Sequence, residues 1–375
     1  MPQPRIPQYI TIANELRQII LQGGQAGEQI PTESDLMTRY GVSRHTVRQA
    51  LNQLVHENLL VRVPGRGTFV AEPPPSIPAP TATQNLVAVI MTYISDYIFP
   101  SIIRGIERQL REHGFNLLLL STQNQFDLER RALETALAQG CRGIIFEPVK
   151  STMPNPNRDL YQHIYAEGLP VVMLHAEPAG FPAFHTILFD DLAGAQLITE
   201  HVLSQGHRAL GGIFKIDDKQ GVSRLKGYIA ALNHRHLAFN PDTVSLFTTE
   251  SKDIVTKEYV RARFGERADS PTAVVCYNDD IAVRLVKSLR AAGLRVPADV
   301  SVVGFDDSPL ATVTHPELTT IRHPQEKMGR LAADDLLRMI QENPPRAQEG
   351  TRIVLPADLV VRHSVAAIRL SGKMA

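Results

Sequence analysis

Side chains able to bind nucleic acid are concentrated just after the tight turn Gly41-Val42-Ser43. Arg44, His45, Thr46 and Arg48 directly follow that turn. An arginine can bond a guanine through two hydrogen bonds, and a threonine can contact a phosphate or a thymine methyl group. Two amphipathic patterns that meet at such a turn are typical of a helix-turn-helix, whose second helix presents its first residues to base edges in the major groove. The stretch therefore predicts DNA binding rather than a purely structural role.

The charge of this stretch supports that interpretation, although the whole chain has no net charge. Lys and Arg together number 39, and so do Asp and Glu, but an average over 375 residues hides local fields. From Leu36 to His56 there are three arginines and no acidic residue, and Arg62 and Arg66 follow after a single Glu57. A solvated helix face usually mixes both signs, and this one does not.

Three helices are predicted to position these side chains. Apolar residues at helical spacing from Ile12 to Ile20 predict a first helix that ends at Gly23-Gly24. Thr32 and Asp35 form a capping-box pattern for a second helix, and Ser43 is a suitable N-cap for a third. The third helix has an inward apolar stripe at Val47, Leu51, Leu54 and Val55.

The segment that follows the third helix predicts a β-hairpin, which would form a wing beside it. Its strands are Leu59–Val63 and Thr68–Val70, and the turn between them is Pro64-Gly65-Arg66-Gly67. Glycines at such a turn let the wing tip approach a DNA backbone closely.

Together these features resemble the winged helix-turn-helix of the GntR family. The motifs that carry the resemblance are Pro31-Thr32-Glu33, Gly41-Val42-Ser43-Arg44, Thr46-Val47-Arg48 and Gly65-Arg66-Gly67-Thr68-Phe69-Val70. The resemblance implies that the outward Arg and Thr of the third helix contact bases and phosphates, and that the wing tip reaches the minor groove. The predicted DNA-binding residues are Arg5, Thr32, Glu33, Arg44, His45, Thr46, Arg48, Gly65 and Arg66.

A proline-rich segment follows this unit. Residues 71–85 contain five prolines and no repeated apolar pattern, which predicts an extended, semi-stiff spacer. The alternative is that the segment is an ordered part of one domain. We therefore expect a DNA-binding domain at residues 1–70, a linker at 71–85, and an effector-binding and dimerisation domain at 86–375.

Beyond the linker, apolar strand-like runs alternate with helical patterns such as Ile102–His113 and Asp279–Ala292. Alternation of this kind predicts an α/β architecture with parallel, doubly wound sheets, in which ligands bind at the carboxyl ends of the strands. The strand-like runs are Leu86–Met91, Asn116–Leu120, Gly143–Phe146, Val171–Leu174, Leu210–Phe214, Ala273–Cys276 and Val300–Val303.

This part of the chain, from about Leu86 to His363, resembles the effector domains of the LacI/GalR family and the periplasmic sugar-binding proteins. The resemblance rests on Gly206-His207-Arg208, Ser223-Arg224, Asn278-Asp279, Leu318-Thr319-Thr320-Ile321 and the run from Gly293 to Asp307 that ends in GFDD. It implies two lobes that three crossovers join and that close on a sugar or similar effector. The expected fold is thus multidomain: an α+β winged helix-turn-helix followed by a two-lobed α/β domain whose lobes are discontinuous in sequence.

Matching residues to the motifs of that family, and to the predicted strand ends, gives a set of candidate ligand-binding side chains. Charged donors and acceptors suit vicinal hydroxyl groups, and an aromatic face can cover the C–H side of a sugar. Structural roles stay open: Asp306 or Asn278 could cap the next segment, Phe189 could lie in the core, and His323 could be a loop histidine. The chain has no Trp, so any stacking on a sugar must come from Phe or Tyr. The candidates are Tyr93, Ser95, Phe99, Glu147, Lys150, His175, Phe189, Arg224, Asn278, Asp306 and His323.

Other classes of protein are disfavoured by what the sequence lacks. No apolar run approaches the ~18 residues that a membrane span needs, and residues 1–10 lack the apolar core of a secretory signal. We therefore expect a cytoplasmic protein that does not bind a membrane, and a sugar-binding transport receptor is the least favoured alternative. Cys141 and Cys276 are expected to be buried, reduced thiols. The absence of a P-loop, a metal cluster, a nucleophile elbow or a dinucleotide-binding turn predicts neither an enzyme nor a cofactor other than the effector.

The fusion of these two halves resembles the arabinose-responsive repressors of bacteria. The segment Phe146–Ser151 and the run Pro154–Asn157 closely resemble theirs. The resemblance implies a homodimer that binds operator DNA and is released by a sugar, with L-arabinose as the expected ligand. Residue chemistry alone indicates only a small polar ligand, so another pentose, a hexose or a nucleoside remains an alternative.

Overall fold

The chain folds as two compact units, Met1–Thr83 and Gln84–Ala375. The computed structural model describes residues 7–23, 25–57, 59–71, 85–177, 184–265, 270–342 and 350–368. Arg5 and residues 72–84 of the expected linker lie outside the described residues, so the predictions for them stay predictions.

The N-terminal unit forms the predicted helices and hairpin, and local capping residues define where its second and third helices begin. Thr32 Oγ1 accepts a hydrogen bond from Asp35 N at 3.3 Å, and Asp35 Oδ2 accepts one from Thr32 N at 3.0 Å, which confirms the capping box. Ser43 Oγ accepts from Thr46 N at 3.3 Å and caps the next helix. Gly41 ends the second helix in the left-handed conformation. The elements are α1 Gln8–Gly23, α2 Glu33–Tyr40, α3 Arg44–His56, β1 Leu60–Val63 and β2 Gly67–Val70.

One apolar core holds these elements together. The predicted stripe of α3 is confirmed at Val47, Leu51 and Leu54, which are almost completely buried, and Leu36 of α2 packs into the same core. Because α3 buries this face, the polar residues of its first two turns must lie on the other side.

The first lobe of the second unit is a parallel sheet covered by helices on both faces. Its elements are β3 Leu86–Met91, α4 Phe99–Glu112, β4 Asn116–Ser121, α5 Phe126–Ala138, β5 Gly143–Phe146, α6 Arg158–Glu167, β6 Val171–Leu174, β7 His185–Phe189, α12 Gln325–Glu342 and β13 Arg352–Leu355. The order of the strands is β13-β7-β6-β5-β3-β4. Alternate residues of its central strands point to opposite faces: Val87 and Val89 pack with one pair of helices, α4 and α12, whereas Ala88 and Ile90 pack with the other pair, α5 and α6.

The second lobe repeats this architecture with a smaller parallel sheet. Its elements are α7 Asp191–Ser204, β8 Leu210–Lys215, α8 Lys219–His234, β9 Val244–Phe247, α9 Val255–Arg263, β10 Ala273–Cys276, α10 Asp279–Ala291, β11 Ser301–Val303 and α11 Leu310–Val313. The order of the strands is β11-β10-β8-β9. Phe214 and Val275 face the core that contains α7 and α8, and Ile213 and Val274 face the core that contains α9 and α10.

Three connections join the lobes within the described residues, as predicted. The chain passes from β7 to α7, returns to the first lobe from β12 (Thr320–Arg322) to α12, and leaves β13 for β14 (Asp358–Val360). The strands β12 and β14 pair with each other in an antiparallel ladder. Since β13 pairs with β7 in the first sheet, that lobe is discontinuous in sequence, which confirms the expected topology.

Candidate functional site

The first residues of α3 form an exposed polar surface on the N-terminal unit. Arg44, His45 and Arg48 are exposed, and Thr46 is half-buried. Arg44 Nε donates to Glu33 Oε2 at 3.1 Å, and Arg48 Nε donates to Oε1 of the same carboxylate at 3.0 Å. Each guanidinium has five N–H donors, so this shared carboxylate orients both arginines and leaves most of their donors for another acceptor.

The wing tip is also exposed, and its geometry depends on glycine. Gly65 has a φ of 73°, which a residue with a side chain rarely adopts, and Arg66 N donates to Val63 O at 3.0 Å to close the turn. Thr32, the other predicted DNA contact, donates its hydroxyl to Asp35 Oδ2 at 2.6 Å, so its capping role is established by these bonds.

A cavity of about 460 Å³ lies between the two lobes of the second unit, where the carboxyl ends of both parallel sheets meet. Asn278 Oδ1 accepts from Ile281 N at 3.0 Å, so this residue caps α10 as well as lining the cavity. Eight of the predicted ligand-binding residues line it, namely Tyr93, Phe99, Glu147, His175, Arg224, Asn278, Asp306 and His323.

Arg224 is the most constrained of these residues, because it is buried with a partner for each guanidinium nitrogen. Nε donates to Asp191 Oδ1 at 2.8 Å, Nη2 donates to Asp306 Oδ1 at 2.9 Å, and Nη1 donates to the Tyr277 carbonyl oxygen at 2.8 Å. The guanidinium also lies 3.8 Å from the centre of the Phe305 ring. Burial raises the pKa of Asp191 to about 6 even though Arg224 opposes that shift. The arrangement fixes two carboxylates at the floor of the cleft.

A second polar group joins Glu147, His175 and His323. His175 Nδ1 donates to Glu147 Oε1 at 2.7 Å, and Glu147 Oε2 accepts from Thr92 N at 3.0 Å. The Nε2 atoms of the two histidines are 3.3 Å apart. Burial lowers the pKa of His175, but the hydrogen bond to Glu147 and the negative charges of Glu147, Asp191 and Asp306 together outweigh burial, and the net pKa is raised. Burial, followed by the charges of His175 and Arg224, lowers the pKa of His323, so His323 is neutral.

Three predicted ligand-binding residues do not line the cavity. Ser95 is exposed on the loop before α4. The Lys150 ammonium pairs with Glu250 of the other lobe at 2.5 Å, so a carboxylate at the rim of the cleft balances its charge. Phe189 is buried, with its ring centre 5.9 Å from that of Phe305 and 4.7 Å from that of His323, so it takes the core position that the sequence left open as its alternative.

The cavity is also lined by residues that sequence reasoning missed. Asp191 and Lys215 lie at the ends of β7 and β8, and position at a strand end was a usable signal for both. Tyr97 gave no local signal. Its hydroxyl donates to Asp306 Oδ2 at 2.6 Å and accepts from Asp279 N at 3.2 Å, and these partners lie 209 and 182 residues further along the chain.

Asp279 is a buried carboxyl group whose protonation is expected to make stability depend on pH. Burial, followed by the charge of Asp306, raises its pKa from the usual 3.8 to about 7. The folded chain therefore keeps a proton that the unfolded chain releases between about pH 4 and pH 7. This contribution to stability is complete below that window and is lost as the pH rises through it.

The variant Asp279→Asn is expected to remove this loss of stability at rising pH. An amide can accept from Ser308 N and donate to Thr320 Oγ1, the two groups that now bond Asp279 at 2.7 Å each. We expect its Tm to exceed that of the wild type by several degrees at pH 8 and to match it near pH 4, measured by thermal denaturation. Asp280→Asn is the control: ion pairs with Lys252 and Arg284 outweigh burial and lower the pKa of Asp280, so its Tm should fall at pH 8. An equal Tm difference for Asp279→Asn at both pH values would contradict the expectation.

Among the described residues, no helix is both long and apolar enough to cross a membrane. The same residues include no group of three or more His, Cys, Asp or Glu side chains placed to hold a metal ion.

Comparison with known proteins connects this geometry to regulators of transcription. The model of the bacterial regulatory proteins of the gntR family matches residues 8–70, and that of the periplasmic binding protein-like domain matches residues 199–365. The chain is 42% identical to the arabinose metabolism transcriptional repressor of Halalkalibacterium halodurans over 94% of this chain and 93% of that protein. It is 39% identical to the repressor of the same name from Geobacillus stearothermophilus, over 97% and 99%. The solved complex of the transcriptional regulator CelR with cellobiose shares the fold, with a TM-score of 0.66 and 24% identity over 89% of this chain and 100% of that one.

Proposed function

The chain belongs to the family of the arabinose metabolism transcriptional repressors, and we propose that the ligand its cleft senses is L-arabinose. It is a sugar-responsive, DNA-binding repressor and not an enzyme. We propose further that it acts in the cytoplasm as a homodimer, and that the sugar, with no other cofactor, releases it from operator DNA.

The observation that supports a neutral sugar best is the fixed guanidinium of Arg224 between two buried carboxylates. Asp191 and Asp306 are held in place by this fork, and Glu147 adds a third carboxylate across the cavity. Hydroxyl groups can donate to such oxygens and accept from neighbouring N–H groups, whereas a phosphate or carboxylate on the ligand would be repelled by them. These three carboxylates therefore favour a polyhydroxylated, uncharged ligand over an anionic one.

Contacts that cross the rim of the cleft would stabilise a closed arrangement of the two lobes. Lys150 pairs with Glu250, and Asn124 Nδ2 donates to Thr249 Oγ1 at 2.6 Å, each bond joining one lobe to the other. A ligand that contacts both lobes favours the closed arrangement in which these bonds form. Closure in each subunit would then change the spacing of two α3 helices on a pseudo-palindromic operator.

The test is to titrate the full-length protein with L-arabinose in the presence and absence of DNA. The DNA is a duplex recovered by in vitro selection with the wild-type protein from a random-sequence pool, called here the selected duplex. Because coupling between two sites is reciprocal, a sugar that weakens DNA binding by about 5- to 150-fold must itself bind more weakly to the DNA complex by the same factor.

Calorimetry and fluorescence anisotropy measure the two sides of this linkage. The matched ligands are D-xylose, D-ribose, D-galactose and adenosine. If one of them gives a stronger response than L-arabinose, that compound is the effector and L-arabinose is not. Equal sugar affinities with and without the selected duplex would rule out release by this ligand.

A further inference from the structure

The wing of the N-terminal unit is fastened on the side opposite to β1 by the segment between α1 and α2. Gly27 N donates to Val70 O at 3.0 Å, Val70 N donates to Glu28 O at 2.8 Å, and Ile30 N donates to Thr68 O at 3.0 Å. These bonds make β2 the middle of three paired segments. The position of the wing therefore depends on a segment that neither the helix-turn-helix nor the hairpin motif includes.

One side chain of that segment reaches the tip of the wing. Gln29 Nε2 donates to the carbonyl oxygen of Arg66 at 3.1 Å. A Cβ atom at Gly67 would lie 2.6 Å from the same nitrogen, so the amide of Gln29 fits only because a glycine is there. Gly67 has a φ of 123°, a conformation that also favours glycine. Two hydrogen bonds therefore restrain the turn. One lies within the hairpin, where Arg66 N donates to Val63 O, and the other is donated by Gln29 from outside the hairpin.

We propose that Gln29 is a positioning residue for DNA recognition, which holds the Arg66 backbone so that the exposed Arg66 side chain meets the DNA at a fixed place. A turn of this kind, with glycines on both sides of Arg66, has a large backbone entropy that a single hydrogen bond inside the hairpin restrains weakly. Gln29 removes part of that freedom before DNA binds, and preorganisation of this sort increases affinity. The proposal rests on the operator binding described above.

The test replaces Gln29 by Met, which keeps the length of the side chain and removes the donor. A net hydrogen bond of ordinary strength predicts that the selected duplex binds about three- to tenfold more weakly to Gln29→Met, measured by fluorescence anisotropy with the full-length protein. If Gln29 acts through Arg66, the double variant Gln29→Met/Arg66→Ala must bind no more weakly than Arg66→Ala alone. The dependence of affinity on salt concentration should also decrease in Gln29→Met, although no charge has been removed.

Gln25→Met is the matched control, because the Gln25 side chain makes no hydrogen bond to the wing within the described residues. It should bind the selected duplex as the wild type does. Additive losses in the double variant, or an unchanged affinity in Gln29→Met, would overturn the proposal. Failure of the wild type to select any duplex would instead overturn the proposed function, so the two failures are distinguishable.

Discussion

Replacing Arg224 with Ala is expected to produce a repressor that stays on its DNA at concentrations of L-arabinose that release the wild type. The substitution removes the fork that holds Asp191 and Asp306 at 2.8 and 2.9 Å. Both carboxylates would remain buried without their partner, and breaking a buried ion pair in this way costs about 3–5 kcal/mol. We therefore expect a lower Tm together with the loss of sugar binding, measured by thermal denaturation and calorimetry.

A second variant keeps this expectation testable if the alanine variant does not fold. Arg224→Lys preserves the charge, but a single ammonium cannot bond two carboxylates in the geometry of the fork. It should fold, and it should require at least about tenfold more L-arabinose for release, since one lost interaction of about 1.4 kcal/mol corresponds to that factor. Arg290→Ala, at an exposed position of α10, is the control and should respond as the wild type does. A folded Arg224→Lys or Arg224→Ala protein with normal release would show that the ligand does not use this pair.

Replacing Arg48 with Ala is expected to abolish the preference for the selected duplex without changing the affinity for sugar. The Arg48 side chain is 57% exposed and is oriented by Glu33, and a bidentate contact to a base contributes about 1–3 kcal/mol. If the protein binds as a dimer, both copies lose that contact, so the affinity should fall by about 30-fold or more. Sugar binding in the absence of DNA should be unchanged, because Arg48 and the cleft belong to separate compact units.

A measurement of sequence specificity, and not of affinity alone, tests whether Arg48 contacts bases. The measurement is the ratio of affinities for the selected duplex and for a scrambled duplex of the same composition. Arg39→Ala is the matched control: this exposed arginine pairs with Glu15, and its loss should weaken both duplexes equally, if at all. A ratio that stays constant in Arg48→Ala would assign this residue to phosphate contacts only.

The sequence determined where the second and third N-terminal helices begin, because the atoms that define these starts are close in the chain. Thr32 and Asp35 bond each other across one helical turn, and Ser43 bonds Thr46 in the same way. A capping residue and its backbone partner are encoded together, so neither depends on distant packing. The alternation of strands and helices, and the strand ends that bear Glu147 and His175, were predictable for a similar reason: the period of apolar residues reports local structure.

Only the tertiary structure decided which predicted side chains face the cavity and which of their atoms already have partners. Arg224 meets Asp191 and Asp306, which lie 33 and 82 residues away, and Tyr97 joins this group from a loop of the first lobe. Phe189 follows the same strand-end rule as His175, yet its ring is enclosed in the core. The charge of Lys150 is satisfied by Glu250 across the rim. These outcomes depend on how the two lobes pack around the cavity that they share. A contact between distant segments forms only when the packing of the whole unit outweighs the conformational entropy lost by bringing those segments together.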